Sequence, residues 1–172
     1  MREQGIVAKG WFMPAEWCQH AATWMVWPHN KALWESGWGV TLAEVQQDFA
    51  RVVNTIVRFE PVKLVVDPSA LAEARRVLTA AFYLSRKHRD AGTDACPLPS
   101  ALAEMGRLPE PFRAVLTEHV ELMVAELAGS PEEADQVLAD LALMIGGLSL
   151  ARALGDGELS DRVLRAAKSA VV

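Results

Sequence analysis

Ala22-Thr23-Trp24-Met25-Val26-Trp27-Pro28, read together with Val62-Lys63-Leu64-Val65-Val66-Asp67-Pro68, decides how the first part of this 172-residue chain folds. Each is a run of β-branched, aromatic and other apolar residues stopped by proline, the pattern of a short strand. A helix is well marked between them. Thr41 is followed three residues later by Glu44, a capping box, and Val40 and Val45 sit at the positions of a hydrophobic staple. Leu42, Val45, Phe49, Val52, Val53 and Ile56 then recur at helical spacing, and Pro61 ends the helix. Asn30, Gly37 and Gly39 read as a loop ahead of it. Asp67-Pro68 opens another helix with proline at its first position. The order strand, helix, strand, helix predicts a βαβ-type unit, its second strand mostly buried. Two strands leave sheet edges and one face uncovered.

Beyond about Ala80 the strand signals stop. Residues 80–96 read as a helix tail and a polar loop, and Leu98–Met105 as a short helix. Pro109 or Pro111 opens a longer one, in which Phe112, Val115, Leu116, His119, Val120, Met123 and Leu127 recur at helical spacing before Gly129. Ser130 as N-cap, Pro131 at the first helical position and Glu132-Glu133 in the first turn start the next. It runs to about Leu154 and stops at Gly155. A last helix starts at Ser160 and carries Val163, Leu164, Ala167 and Val171. The expected fold class is an α+β hybrid, mostly α: a small, incomplete α/β module over 1–79, then an all-α bundle over 80–172.

Composition separates the same two parts. All six tryptophans lie in the first 38 residues. Residues 1–79 hold eight basic and eight acidic side chains, residues 80–172 nine and fourteen, so the whole net charge of −5 falls in the second part. An acidic surface offers nothing to nucleic acid. Cys18 and Cys96 form neither a disulfide framework nor a metal-spaced cluster. A cytoplasmic location is expected, with no metal and no cofactor. The apolar stretch around Leu141–Ala153 reads as too short to span a membrane, interrupted by Gly146-Gly147 and Arg152. No signal-peptide pattern opens the chain.

Met13-Pro14-Ala15-Glu16-Trp17-x-x-His20-x-Ala22-Thr23-Trp24-x-x-Trp27-Pro28-His29-Asn30 resembles the opening of the agmatine deiminase and bacterial peptidylarginine deiminase family. The resemblance continues through Arg58-Phe59-Glu60-Pro61-Val62 and covers roughly residues 10–78. It implies one blade of a five-bladed α/β propeller. It also implies hydrolysis of a guanidinium to a ureido group with release of ammonia, by a nucleophilic cysteine, a histidine acid/base and guanidinium-gripping carboxylates. The motif residues carried over are Met13, Pro14, Glu16, Trp17, His20, Trp24, Trp27 and Pro28. The family's Trp-x-Arg-Asp-x-Gly substrate segment has only Lys87-His88-Arg89-Asp90-Ala91-Gly92 as a counterpart, with lysine in place of the tryptophan. Its catalytic-cysteine segment has no counterpart. No catalytic residue is therefore assigned, and Glu16, Cys18, His20 and His29 read as structural.

Residues 82–172 resemble a different family. Tyr83-Leu84-Ser85-x-x-His88-Arg89-Asp90, Cys96-Pro97-Leu98-Pro99, Met144-Ile145-Gly146-Gly147-Leu148-x-Leu150-Ala151-Arg152 and Leu159-Ser160-Asp161 look like the ligand-binding domain of TetR-type transcriptional regulators. This resemblance implies a homodimer through the last two helices and a small apolar effector held among the central ones. It places Leu138, Leu141, Ile145, Leu148, Val163, Leu164 and Ala167 at the dimer interface, and Phe112, Leu116, His119, Met123 and Met144 around the effector. The helix-turn-helix that reads DNA has no counterpart, so direct DNA binding is not expected, nor is a membrane partner. The two resemblances together read as a catalytically incomplete hybrid. A deiminase acting on agmatine or peptidylarginine, and a regulator's ligand-binding module, are the alternatives. If Trp24 and Trp27 pack onto the C-terminal helices the chain is one integrated body; if they lie exposed, the first part is an orphaned module.

Overall fold

The computed structural model describes residues 18–92 and 96–171. The elements are β1 (Thr23–Val26), α1 (Lys31–Gly37), α2 (Leu42–Ile56), β2 (Val62–Val65), α3 (Leu71–Tyr83), α4 (Arg86–Arg89), α5 (Leu98–Met105), α6 (Glu110–Leu127), α7 (Ala134–Ala153) and α8 (Glu158–Val171). The fold is mostly helical, a small parallel sheet followed by helices, as the two patterns in the sequence lead one to expect. β1 and β2 pair in parallel, Thr23 opposite Val62 through Val26 opposite Val65.

The capping box at α2 is complete: Thr41 Oγ1 accepts from the Glu44 amide and Glu44 returns a bond to the Thr41 N–H. The helix is rotated from the expected face. Gln46, Ala50 and Val53 are buried, whereas Val52 is 47% exposed. Gln46 is buried because its amide bridges the Pro28 carbonyl and Glu73, which ties α2 to its neighbours. The expected loop before α2 contains α1, capped by Asn30 Oδ1 on the Leu33 amide. β2 is half-buried rather than mostly buried, with Val65 49% exposed, because the described residues cover the two-stranded sheet on one face only.

α3 joins the two parts. Its Ala74, Val77 and Ala81 pack with Trp27 and Ala50 in one buried cluster. Its Ala80, followed by Leu84, belongs to the second cluster with Val137, Leu141, Met144, Leu148, Leu164 and Ala167. Small residues on both sides of α3 let helices approach from two directions, which merges the cores. Trp27 is 1% exposed and edge-on to Phe49 at 5.6 Å, but its contacts lie on α2 and α3. Trp24 is 67% exposed. Trp24 and Trp27 therefore do not join the halves; α3 does.

α7 is the central helix of the second core and packs most closely on α8. A Cβ on Gly147 would stand 2.8 Å from Ala167 Cβ, so Gly147 lets α7 and α8 approach closely within this chain, while Gly146 faces open space. Gly155, at φ +75°, takes the left-handed position after α7. Counting its opening 3₁₀ turn, the segment Pro131–Ala153 is 23 residues long and apolar enough by length and composition to cross a membrane, longer than the sequence pattern suggests. Seven of its residues are buried against this chain, and Asp140 among them is ion-paired. That is the character of a core helix.

α8 begins at Glu158, two residues earlier than expected. Ser160 is not its N-cap: the side chain is fully buried, donating to the Ala151 carbonyl at 2.7 Å and accepting from Arg89.

Candidate functional site

A cavity of about 530 Å³ opens between α3, α5, α6 and α7. α7 supplies Leu141, Met144 and Ile145; α6 supplies His119, Leu122, Met123, Glu126 and Leu127; Thr79, Tyr83 and Leu98 complete the wall. The size is within the range of small-molecule sites, ~300–1,000 Å³. Of the residues assigned to an effector pocket, His119, Met123 and Met144 line it. Phe112 and Leu116 do not, because one turn nearer the start of α6 the helix surface faces outward, leaving Phe112 54% exposed.

Tyr83 lines the cavity, and its hydroxyl is recessed, with no hydrogen-bond partner among the described residues. Burial, and then the adjacent Cys96 thiol, push its pKa well above the usual phenol value. Glu126 at the rim lies 3.3 Å from Arg75, whose guanidinium also donates to the Glu126 carbonyl.

Behind Tyr83 lies a polar node that the sequence pattern presents as a loop. His88 and Arg89 are buried at 6% and 8% exposure. His88 Nδ1 meets the Tyr83 carbonyl at 2.9 Å, and its Nε2 accepts from the Cys96 amide at 3.1 Å. Arg89 bonds Asp90, Ser160 and Asp161. Arg152 donates to the carbonyls of His88 and Cys96. Arg89 holds Asp90 below the usual carboxylate range. Burial works the other way at Asp161, but the bonds from Arg86 and Arg89 outweigh it and leave that carboxyl lowered too. The four strings singled out in residues 82–172 are thus mutual partners. The signal for the node was the coincidence of two arginines and two aspartates in those strings.

The residues assigned to a dimer interface divide. Leu141, Leu148, Leu164 and Ala167 are spent inside the monomer core. Leu138 is 43% exposed, Val163 packs partly against the core, and Ile145 lines the cavity. The outward apolar face of α7 is instead Leu143, Gly146, Leu150 and Leu154, with Leu150 52% exposed. α8 carries a second row, Leu159, Val163, Ala166 and Ala170, beside its buried one.

Of the deiminase-like motif, Met13, Pro14, Glu16 and Trp17 lie outside the described residues. His20 Nδ1 is 3.3 Å from Glu60 Oε2, and Glu60 also accepts from the Thr23 hydroxyl. Cys18 joins His20 and Glu60 around a shallow hollow of about 280 Å³ beside Phe59. Cys18 is exposed, and no hydrogen bond links it to His20 among the described residues. Trp24 lies flat under Lys63, Nζ 5.0 Å from the ring centre, and Pro28 is buried. Among the described residues no group of His, Cys, Asp and Glu is placed to hold a metal ion.

The family model for Porphyromonas-type peptidyl-arginine deiminase matches residues 12–98, just over half of the chain. The agmatine deiminase of Stutzerimonas stutzeri (strain A1501) is 41% identical over 69 residues, 40% of this chain and 18% of that protein. The agmatine deiminase of Ectopseudomonas mendocina (strain ymp) is 40% identical over 68 residues, 40% of this chain and 17% of that protein. The chain spans less than a fifth of the length of these curated relatives. The match extends past residue 78 to take in α3, α4 and the start of α5. On this likeness over residues 12–98 the chain belongs to the Porphyromonas-type peptidyl-arginine deiminase family.

Proposed function

We propose that this chain works as a ligand-binding and self-associating helical unit that carries a deiminase-derived opening and does not itself turn over a guanidinium substrate. The observation that carries this reading is the apolar cavity between α3, α5, α6 and α7. On this reading residues 80–172 are a TetR-type effector and dimerisation domain without its helix-turn-helix. The mutual bonding of its motif residues at Arg89 and Arg152 supports that grouping. A second copy covers the outward faces of α7 and α8. A helix apolar around most of its circumference suits burial on both sides, and Leu143, Leu150, Leu154 and Leu159 are otherwise left 37–56% exposed. DNA and membranes are not partners on this reading.

Light scattering on purified protein tests the reading: a mass of twice 18.8 kDa is expected at micromolar concentration. A monomer there overturns the self-association. Ammonia and ureido product from agmatine and from a peptidylarginine substrate are expected at the buffer blank.

A second reading, guanidinium deimination, is favoured by the family relationship and by Cys18, His20 and Glu60 sharing one hollow. It predicts turnover that Cys18→Ser abolishes. Hydrolysis needs a thiolate held against its base and a carboxylate pair around the guanidinium. Cys18 is exposed, and among the described residues no base is hydrogen-bonded to it.

A further inference from the structure

We propose, building on the cavity reading above, that the site selects neutral, apolar ring compounds and rejects their anionic counterparts. Apart from Thr79, His119 and Glu126 the lining side chains are apolar or aromatic, and among the described residues no lysine or arginine lines the cavity. An organic anion entering it loses its hydration and meets no countercharge. The one acidic side chain in the lining, Glu126, sits at the rim paired with Arg75 at 3.3 Å, so the rim presents an ion pair with little net charge to draw in either an anion or a cation. The Tyr83 hydroxyl is recessed, so the tyrosine presents its ring and adds no polar contact. Met123 and Met144, on facing helices, give the wall flexible and polarisable sides that adapt to flat rings.

The test uses two fluorescent probes with one ring system. N-phenyl-1-naphthylamine is neutral, and 1-anilinonaphthalene-8-sulfonate is the same molecule with a sulfonate. Both are titrated into the full chain and into Leu122→Trp, which fills the mouth of the cavity from an exposed position. The expected result is neutral-probe binding at least tenfold tighter than sulfonate binding, weakened at least tenfold by Leu122→Trp. Leu122→Arg should narrow the gap by drawing in the sulfonate. If both probes bind equally, or the sulfonate binds better, and Leu122→Trp still blocks them, the charge selectivity is wrong while the cavity stands. If neither probe binds up to its solubility, or Leu122→Trp changes neither, the cavity reading itself falls.

Discussion

Arg76→Ala should destabilise the whole chain by about 3 kcal/mol, because Arg76 ties the family-matched segment to the C-terminal helices. From α3, its Nε and Nη2 reach Asp140 Oδ2 on α7 at 2.7 and 2.6 Å, and Nη2 also donates to the Val171 carbonyl. The Asp140 side chain is 4% exposed and that of Arg76 25%. Removing one member of a buried pair costs roughly 3–5 kcal/mol, because the other charge stays desolvated. The lower end applies, since Gln136 still donates to Asp140 Oδ1. Asp140→Ala should cost less, because the guanidinium left behind is a quarter exposed and keeps its carbonyl partner. Arg76→Met with Asp140→Leu should recover most of the loss, since a well-packed apolar pair replaces the ion pair without an orphan charge.

Urea unfolding reads both the magnitude and the integration. Tryptophan fluorescence reports residues 1–38 alone, and far-ultraviolet circular dichroism reports mainly the helices. The two transitions should coincide in the parent and shift together in the variant. A cost below about 1 kcal/mol, or fluorescence and dichroism transitions that separate in the parent, would refute the argument that α3 merges the two cores.

Gly147→Ala should destabilise by about 1–3 kcal/mol through overpacking against Ala167, whereas Gly146→Ala, which meets nothing, should gain about 1 kcal/mol of helix propensity in the monomer; thermal melts at low concentration separate the two. On the proposed self-association, Leu150→Glu should leave a monomer with its helices intact, read by light scattering beside circular dichroism, and a dimer in that variant would move the proposed interface elsewhere. Asp90 and Asp161 are held below their ordinary carboxylate values when folded, so their contribution is complete above the unfolded value near ~4 and is lost as pH falls through the depressed folded values. Urea midpoints should therefore drop on acidification below that value in the parent and drop less in Arg89→Met, and equal drops would count against the Arg89 node.

The legible parts of this chain were those specified locally. Thr41 and Glu44 are three residues apart, so the capping box is a property of one turn and is found as expected. The parallel pairing follows from two short apolar runs joined by a helix, because a crossover of that length returns the chain parallel to itself. The node at Arg89 was illegible for the opposite reason. Lys87-His88-Arg89-Asp90 is polar in any local reading, and its burial comes from Asp161 and Ser160 some seventy positions away. The surroundings of the candidate dimer residues were beyond a local reading in the same way. Periodicity identifies α7 as apolar around most of its surface but cannot rank its faces, and within this chain α7 and α8 bury Leu148 and Leu164 together.

By itself, then, the sequence determined the two strands, the capped helix α2, the long helices α6, α7 and α8, and that the two parts differ in composition, while α1 and the starts of α7 and α8 escaped it. Caps, proline stops and periodicity act within a few residues, so they survive in any linear reading. Tertiary structure alone decided that one helix, α3, serves the cores of both parts. Alanines on both sides of α3 meet two cores, and Arg76 finds Asp140 sixty-four positions away. Burial and charge pairing depend on which surfaces approach, and that is set only when the helices pack.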